Sequence, residues 1–146
     1  MTIRGTVSRT VSGTTSGTTA RATGKEGVSP WTPDRRDVIW INFSPQVGRE
    51  FSDMHPMMVL SPRAFNLRTS IVIGLPMSTA VSNATNPFAI NNSQGGSERS
   101  YIVCNQPKSL DWRMRGAKPH PSGRVREAVF QLACAELNDI VQLVGA

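Results

Sequence analysis

From Asp37 onward the chain is a series of short apolar runs with prolines standing at their ends. The runs are DVIWINF (37–43), MMVLS (57–61), TSIVIGLPMS (69–78), FAINN (88–92) and SYIVCNQ (100–106). Their length and their content of β-branched residues predict β-strands. Because the second and third runs are almost continuously apolar, we expect strands that are covered on both faces or closed into a barrel. In the first run we expect Val38 and Trp40 to be buried, with Ile39 and Ile41 as further candidates.

The final segment changes to a helical pattern. Between residues 122 and 146, apolar residues recur at three- and four-residue steps: Val125, Val129, Leu132, Ala133, Leu137, Ile140, Val141 and Val144. This spacing predicts one amphipathic helix of about 20 residues, with Ser122 as its N-cap and Gly145 at its end. Several short strands and one terminal helix together predict a mainly β, α+β domain, in which a small bent sheet or barrel packs against the helix.

The first 34 residues differ from the rest in composition. They are dominated by Thr, Ser and Gly, and Trp31 is their only aromatic residue. Such a segment buries too little apolar surface to offset its ordering entropy, so we expect residues 1–34 to be a disordered, low-complexity basic tail and residues 35–146 to be the folded domain. The tail is either a flexible basic arm for RNA or an extension from an early start codon, and we favour the second.

Charge and cysteine content restrict the classes of protein. Of the net charge of +6, residues 1–36 carry six basic and two acidic groups, which leaves only +2 for the rest. A polyanion site must therefore come from local clustering. Cys104 and Cys134 lie far apart in apolar runs, which fits two small buried side chains in a reducing compartment. No apolar run approaches the length of a membrane span, and with the reducing compartment this leads us to expect a cytoplasmic protein. Neither His55 nor His120 has a cysteine or carboxylate cluster of metal-binding spacing nearby, so we expect no metal or cofactor.

Two stretches concentrate polar chemistry. The first, GREFSDMHP, places Arg49, Glu50, Asp53 and His55 within seven residues, directly before a buried strand. The second, NQPKSLDWRMRGAKP, groups amides and cations around one aromatic residue: Asn105, Gln106, Lys108, Trp112, Arg113, Arg115 and Lys118. The second stretch suits single-stranded nucleic acid, with Trp112 as a stacking face. The alternative is a solvated basic loop with Trp112 in the core.

These stretches resemble one known family. DVIWINFSPQVGRE, HPMMVLSPRAFN, GLPMSTAV, NPFAI and CNQPKSLDWRMRGA are similar, in order and spacing, to the MazF/PemK toxin–antitoxin endoribonucleases, and the similarity covers residues 35–146. The resemblance implies an SH3-like β-barrel with a C-terminal helix, and a homodimer with an RNA groove across its interface. It also implies metal-independent cleavage of single-stranded RNA by a ribose 2′-hydroxyl, and a cognate antitoxin that blocks the site.

The resemblance also assigns roles to individual residues. Glu50 matches a family glutamate that acts as a base or an orienting carboxylate, and Ser78 matches a phosphate-binding hydroxyl, with Thr79 next to it. The substrate-binding candidates are Arg49, Asn105, Gln106, Lys108, Arg113 and Arg115.

Two positions depart from the family pattern. His55 stands where many members have a catalytic arginine, and Asn105 replaces an aspartate and cannot act as a base. An arginine stays charged and clamps phosphate, whereas a histidine moves protons near neutral pH. Three roles are therefore open for His55. It acts as an acid or base, with Arg49 or Arg63 supplying the positive charge; or its replacement of arginine weakens the site; or it has no catalytic role.

Three functional classes remain open from the sequence. The protein is an active or weakened ribonuclease that uses His55, Glu50 and Ser78 or Thr79. It is alternatively a catalytically silent homologue that binds RNA or an antitoxin, or a gyrase-poisoning toxin with the same barrel. Met54, Met57 and Met58 exceed what one small core readily takes, and we expect some of them to line a dimer or antitoxin surface.

Overall fold

The computed structural model describes residues 30–93 and 98–145. Along the chain the elements are β1 (Asp37–Asn42), β2 (Met54–Val59), α1 (Arg63–Thr69), β3 (Ile71–Ser78), a 3₁₀ helix (Val81–Thr85), β4 (Ala89–Asn91), β5 (Tyr101–Val103), β6 (Lys108–Asp111), β7 (Lys118–Arg124) and α2 (Glu127–Val141). Most of the predicted tail, residues 1–34, lies outside the described ranges. Thr32 and Pro33 are buried in the compact unit, which begins at Thr32.

The strands form one antiparallel sheet in the order β4-β5-β3-β2-β1-β7, and β6 also pairs with β3. This arrangement confirms the predicted mainly β, α+β class with a C-terminal helix. Within the described ranges no pairing joins the edge strands β4 and β7, so the sheet is open rather than a closed barrel. No helix in these ranges is both long enough and apolar enough to cross a membrane.

The central strands are buried on both faces, as their continuous apolar runs predict. In the β1–β2 ladder, Val38 is opposite Met58 and Ile39 is opposite Met57, and all four are almost fully buried. Because side chains alternate along a strand, these two pairs lie on opposite faces of the sheet. On the face with Val38 and Met58, helix α2 packs against the sheet, and its buried residues are Val129, Phe130 and Ala133.

The terminal helix is shorter than predicted. It spans 15 residues, begins after Arg126 and ends before Gln142, whose backbone is left-handed. The prediction that Ser122 is its N-cap is therefore wrong, and Gly145 lies beyond its end. Ser122 instead belongs to β7, which pairs with β1 through Arg124 opposite Asp37. The Ser-Gly pair at 122–123 is typical of a helix start, and the prolines at 119 and 121 are typical of a loop. Pairing with β1 outweighs both local preferences and makes the segment a strand.

Trp40 was predicted to be buried, and this prediction is wrong. Its side chain is only half-buried, whereas Ile39 and Ile41 are fully buried. The indole packs against the imidazole of His120 in β7, with ring centroids 4.7 Å apart. An edge strand thus covers one face of Trp40 in place of the core.

Candidate functional site

A groove of about 750 Å³ lies beside β2, β3 and β7. It brings together three of the four residues that the sequence predicted to be catalytic: His55, Ser78 and Thr79. His55 lies in β2, Ser78 is the last residue of β3 and Thr79 follows it, and the two strands are paired in the sheet. Three further ionisable residues, Glu98, Arg99 and His120, line the same groove.

The His55 ring is fixed by two phenylalanines. Phe51 and Phe43 each meet the imidazole edge-on, with centroid separations of 5.2 and 6.2 Å. Phe43 is almost fully buried, so this contact ties the ring to the core. Both phenylalanines lie in or next to the loop from β1 to β2, and His55 is opposite Ile41 in the ladder. The imidazole is thus held in place while remaining part of the groove wall.

Ser78, Thr79 and Arg99 are brought together by the pairing of β3 with β5. Ser78 is opposite Tyr101 in that ladder, and Arg99 precedes Tyr101 by two residues. The Arg99 Nε–H donates to the carbonyl of Thr79 at 3.5 Å. The Ser78 hydroxyl oxygen accepts from the backbone N–H of Ala80 at 3.1 Å, which leaves its own proton to donate to a ligand. This corner of the groove offers hydroxyls and a cation, which are groups that bind phosphate.

Glu50 is held in the loop between β1 and β2. Its Oε1 accepts from the backbone N–H of Val47 at 3.1 Å and lies 3.4 Å from the Lys108 ammonium. The hydrogen bond from Val47, followed by the bond and the charge of Lys108, lowers the pKa of the Glu50 carboxyl. A carboxylate with a lowered pKa is a weak proton acceptor. The geometry therefore favours the orienting role for Glu50 over the role of base.

Two cations of the second stretch, Arg113 and Arg115, form hydrogen bonds within the folded domain. Arg115 donates from Nη1 to the carbonyls of Asn42 and Ser44, at 3.0 and 2.6 Å, and so anchors the end of β1. Arg113 donates to the Ser70 hydroxyl at 2.9 Å, and its guanidinium stacks 4.3 Å from the Trp112 ring centroid. Neither arginine lines the groove.

Trp112 is a core residue, as the alternative interpretation of that stretch had it. It is 5% exposed, and its indole N–H donates to the carbonyl of Asn66 at 2.8 Å. The prediction that it offers a stacking face to RNA is therefore wrong. Two residues of the same stretch are placed differently: Asn105 is exposed, whereas the Gln106 Oε1 is buried and has no hydrogen-bond partner in the described part of the chain.

Sequence reasoning missed some of the residues that line the groove. Arg99 ends the Gly/Ser-rich segment SQGGSER (93–99), whose composition indicates only a turn, and His120 lies in none of the stretches that resemble the family. Of the arginines proposed to compensate for His55, Arg63 instead donates to the Thr32 carbonyl, and Arg49 lies exposed in the loop. Within residues 30–93 and 98–145, no three His, Cys, Asp or Glu side chains cluster in a way that could hold a metal ion.

Comparison with known proteins shows the family. Residues 34–141 match the family model described as "PemK-like, MazF-like toxin of type II toxin-antitoxin system". The endoribonuclease toxin MazF of Escherichia coli K12 is 35% identical over 115 residues, which cover 78% of this chain and 98% of that protein. The endoribonuclease PemK of Escherichia coli is 28% identical over 109 residues, which cover 73% of this chain and 80% of that protein.

A solved structure agrees with this assignment. The crystal structure of MazF from Deinococcus radiodurans superposes with a TM-score of 0.70 at 25% identity, covering 78% of this chain and all of that one. The sequence match and the shared fold extend over nearly the whole described unit. The chain therefore belongs to the family of PemK-like, MazF-like toxins of type II toxin–antitoxin systems.

Proposed function

We propose that this protein is an endoribonuclease toxin that cleaves single-stranded RNA. The observation that carries the proposal is the convergence of His55, Ser78, Thr79 and Arg99 on one groove. The chain that forms this groove is 35% identical to an endoribonuclease toxin, and the match covers 98% of that toxin's length. We further propose that the protein acts in the cytoplasm and that a cognate antitoxin binds it.

The groove supports a reaction in which the ribose 2′-oxygen attacks the adjacent phosphorus. The new bond joins the 2′-oxygen to phosphorus, and the bond from phosphorus to the 5′-oxygen breaks. His55 takes the proton of the 2′-hydroxyl, a task that suits imidazole near neutral pH. The 5′-oxygen leaves with a proton drawn from solvent, which reaches the open groove. The products are a 2′,3′-cyclic phosphate and a 5′-hydroxyl.

Three groups stabilise the charge that develops on the phosphoryl oxygens. The Ser78 and Thr79 hydroxyls donate hydrogen bonds, and Arg99 supplies the permanent positive charge that histidine at position 55 lacks. Preorganised donors of this kind are each worth about 10²-fold or more in rate. Arg99 thus takes the role for which the sequence suggested Arg49 or Arg63.

Glu50 and Lys108 act outside the reacting atoms. Their ion pair, with the Val47 hydrogen bond, fixes the loop that carries Phe51 and so positions His55. We propose that Arg49, Asn105, Gln106, Arg113 and Arg115 contribute to binding of the flanking RNA rather than to the chemistry.

One experiment separates the three functional classes. Purified protein is incubated in EDTA with a long single-stranded RNA, and the product ends are analysed. We expect cleavage with cyclic-phosphate ends. Binding without cleavage would indicate the silent homologue and contradict the enzyme proposal. If the RNA stays intact, loss of DNA supercoiling in a separate gyrase assay without EDTA would indicate a gyrase-poisoning toxin.

A further inference from the structure

The groove contains a second histidine, His120, that the chemistry above does not use. It lies in β7 between Pro119 and Pro121. A proline fixes its own backbone φ and restricts the residue before it. The backbone at His120 is therefore restricted before any ligand binds, and its side chain points from a stiff segment of the edge strand.

Ser122 forms hydrogen bonds with one of the two ring nitrogens of His120. The backbone N–H of Ser122 lies 3.1 Å from Nδ1, and the Ser122 hydroxyl oxygen lies 2.9 Å from the same atom. Because a backbone N–H can only donate, Nδ1 must accept, and we assign the proton of the neutral ring to Nε2. Nε2 has no hydrogen-bond partner in the described ranges.

Trp40 fixes the plane of the same ring. The indole and imidazole centroids are 4.7 Å apart, with the planes tilted by 40°. Burial lowers the pKa of His120, and the nearby charge of Glu98 opposes this shift only in part. Glu98, Arg99 and His55 are the other titratable groups that line the groove in the described ranges. His120 is thus an oriented neutral ring near neutral pH.

We propose that His120 is a substrate-binding residue, whose Nε2–H donates a hydrogen bond to a phosphate oxygen of the RNA strand in the groove. This inference rests on the proposed ribonuclease function. A phosphate oxygen is the acceptor that fits, because the hydroxyls of Ser78 and Thr79 and the cation of Arg99 share the groove. A role as general base does not fit the geometry. Nδ1 could take up the proton only by giving up the hydrogen bond from the Ser122 N–H.

Two substitutions separate the contribution of the His120 hydrogen-bond donor from that of its aromatic ring. H120F keeps an aromatic ring against Trp40 but removes the N–H, whereas H120Q removes the ring but retains an amide N–H. We expect H120F to lower kcat/KM for a long single-stranded RNA about tenfold, the scale of one neutral hydrogen bond. We expect H120Q to stay within about threefold of the wild type, and both variants to keep the wild-type sedimentation coefficient.

A second measurement reports directly on the Nε2 atom of His120. In histidine ¹⁵N spectra of the full chain, adding a single-stranded 2′-O-methyl RNA oligonucleotide should shift Nε2 of His120 more than Nδ1. The proposal is overturned if H120F cleaves at the wild-type rate, or if H120F and H120Q lose activity equally together with a change in sedimentation. A loss confined to particular RNA sequences would contradict phosphate binding, because phosphate contacts are independent of sequence.

Failure of the proposed function has a different signature. If the wild-type protein neither cleaves RNA nor binds the 2′-O-methyl oligonucleotide, both the function and this inference fail. If the wild type cleaves and H120F is indistinguishable from it, only the inference fails. If the wild type binds without cleaving, the affinity of H120F for the same oligonucleotide tests the inference about His120. We expect an affinity about tenfold lower than that of the wild type, and an equal affinity would contradict the inference.

Discussion

His55 and His120 show how neighbours decide what the same side chain can do. His55 lies at the start of β2 between two phenylalanines, and neither of its ring nitrogens has a hydrogen-bond partner among residues 30–93 and 98–145. His120 has one nitrogen committed to Ser122 and is held neutral by burial against Trp40. We therefore assign proton transfer to the first and hydrogen-bond donation to the second.

A pH measurement tests the environment of His120 without any RNA. Its pKa in the folded protein is below the usual 6.5, so the unfolded chain takes up the proton first as the pH falls. The stability that depends on neutral His120 is present above pH 6.5 and is lost as the pH falls through the lowered pKa. Urea unfolding of H120F should therefore show a smaller loss between pH 7 and pH 5 than the wild type. Equal losses in the two proteins would contradict the buried, neutral ring.

At the scale of elements, β2 and β3 carry the groove residues His55 and Ser78 and approach one another closely at Gly74. A Cβ atom built at Gly74 would lie 2.5 Å from the Met58 carbonyl oxygen and 2.6 Å from the Met57 sulfur. The nearest obstacle is backbone and cannot move without disturbing the ladder. Gly74 thus permits the close packing that fixes the relative positions of His55 and Ser78.

Gly74→Ala should destabilise the protein through this clash. We expect the free energy of unfolding to fall by about 1–3 kcal/mol, the range for overpacking a core, as measured by urea denaturation. Gly145→Ala is the matched control, because a Cβ atom there has nothing within 4 Å. A Gly74→Ala protein as stable as the control would show that the strands can separate freely at this point.

At the scale of the whole molecule, helix α2 and the residues that follow it leave apolar side chains uncovered. Leu132 is 57% exposed and Leu143 is 84% exposed. Of the three methionines expected in part at a surface, Met57 and Met58 are in the core, and only Met54, which is 40% exposed, remains available. Exposed apolar residues on this helix and just after it favour the homodimer that the family resemblance implies.

Sedimentation at micromolar concentration tests the homodimer. We expect the wild type to sediment as a dimer and Leu132→Glu to shift toward the monomer, because the substitution places a charge on the exposed apolar face. Gln131→Glu adds the same charge at the neighbouring exposed position and should leave the dimer intact. A monomeric wild type would contradict the homodimer. Equal behaviour of the two variants would show that Leu132 does not lie in the dimer surface.

Much of this fold can be predicted from local pattern. The strands over residues 37–42 and 71–78 follow from apolar runs, and the helix follows from its period. Strand β2 begins at Met54, three residues before its predicted run, because the segment that contains His55 pairs with β1. Strand β7 could not be predicted, because Pro119 and Pro121 resemble a loop and only pairing with β1 makes the segment a strand. Arg99 and His120 were missed as groove residues for the same reason. Their positions depend on which strands pair, and residue spacing does not encode that directly.

The most direct test of the account is the rate at which wild type and His55→Ala produce 2′,3′-cyclic phosphate ends from single-stranded RNA in EDTA. Loss of a proton-transfer group should lower this rate about 10²-fold or more, while circular dichroism and sedimentation stay unchanged. The account predicts cleavage by the wild type that is nearly abolished in the variant. Equal rates in the two proteins would contradict the assignment of catalysis to His55.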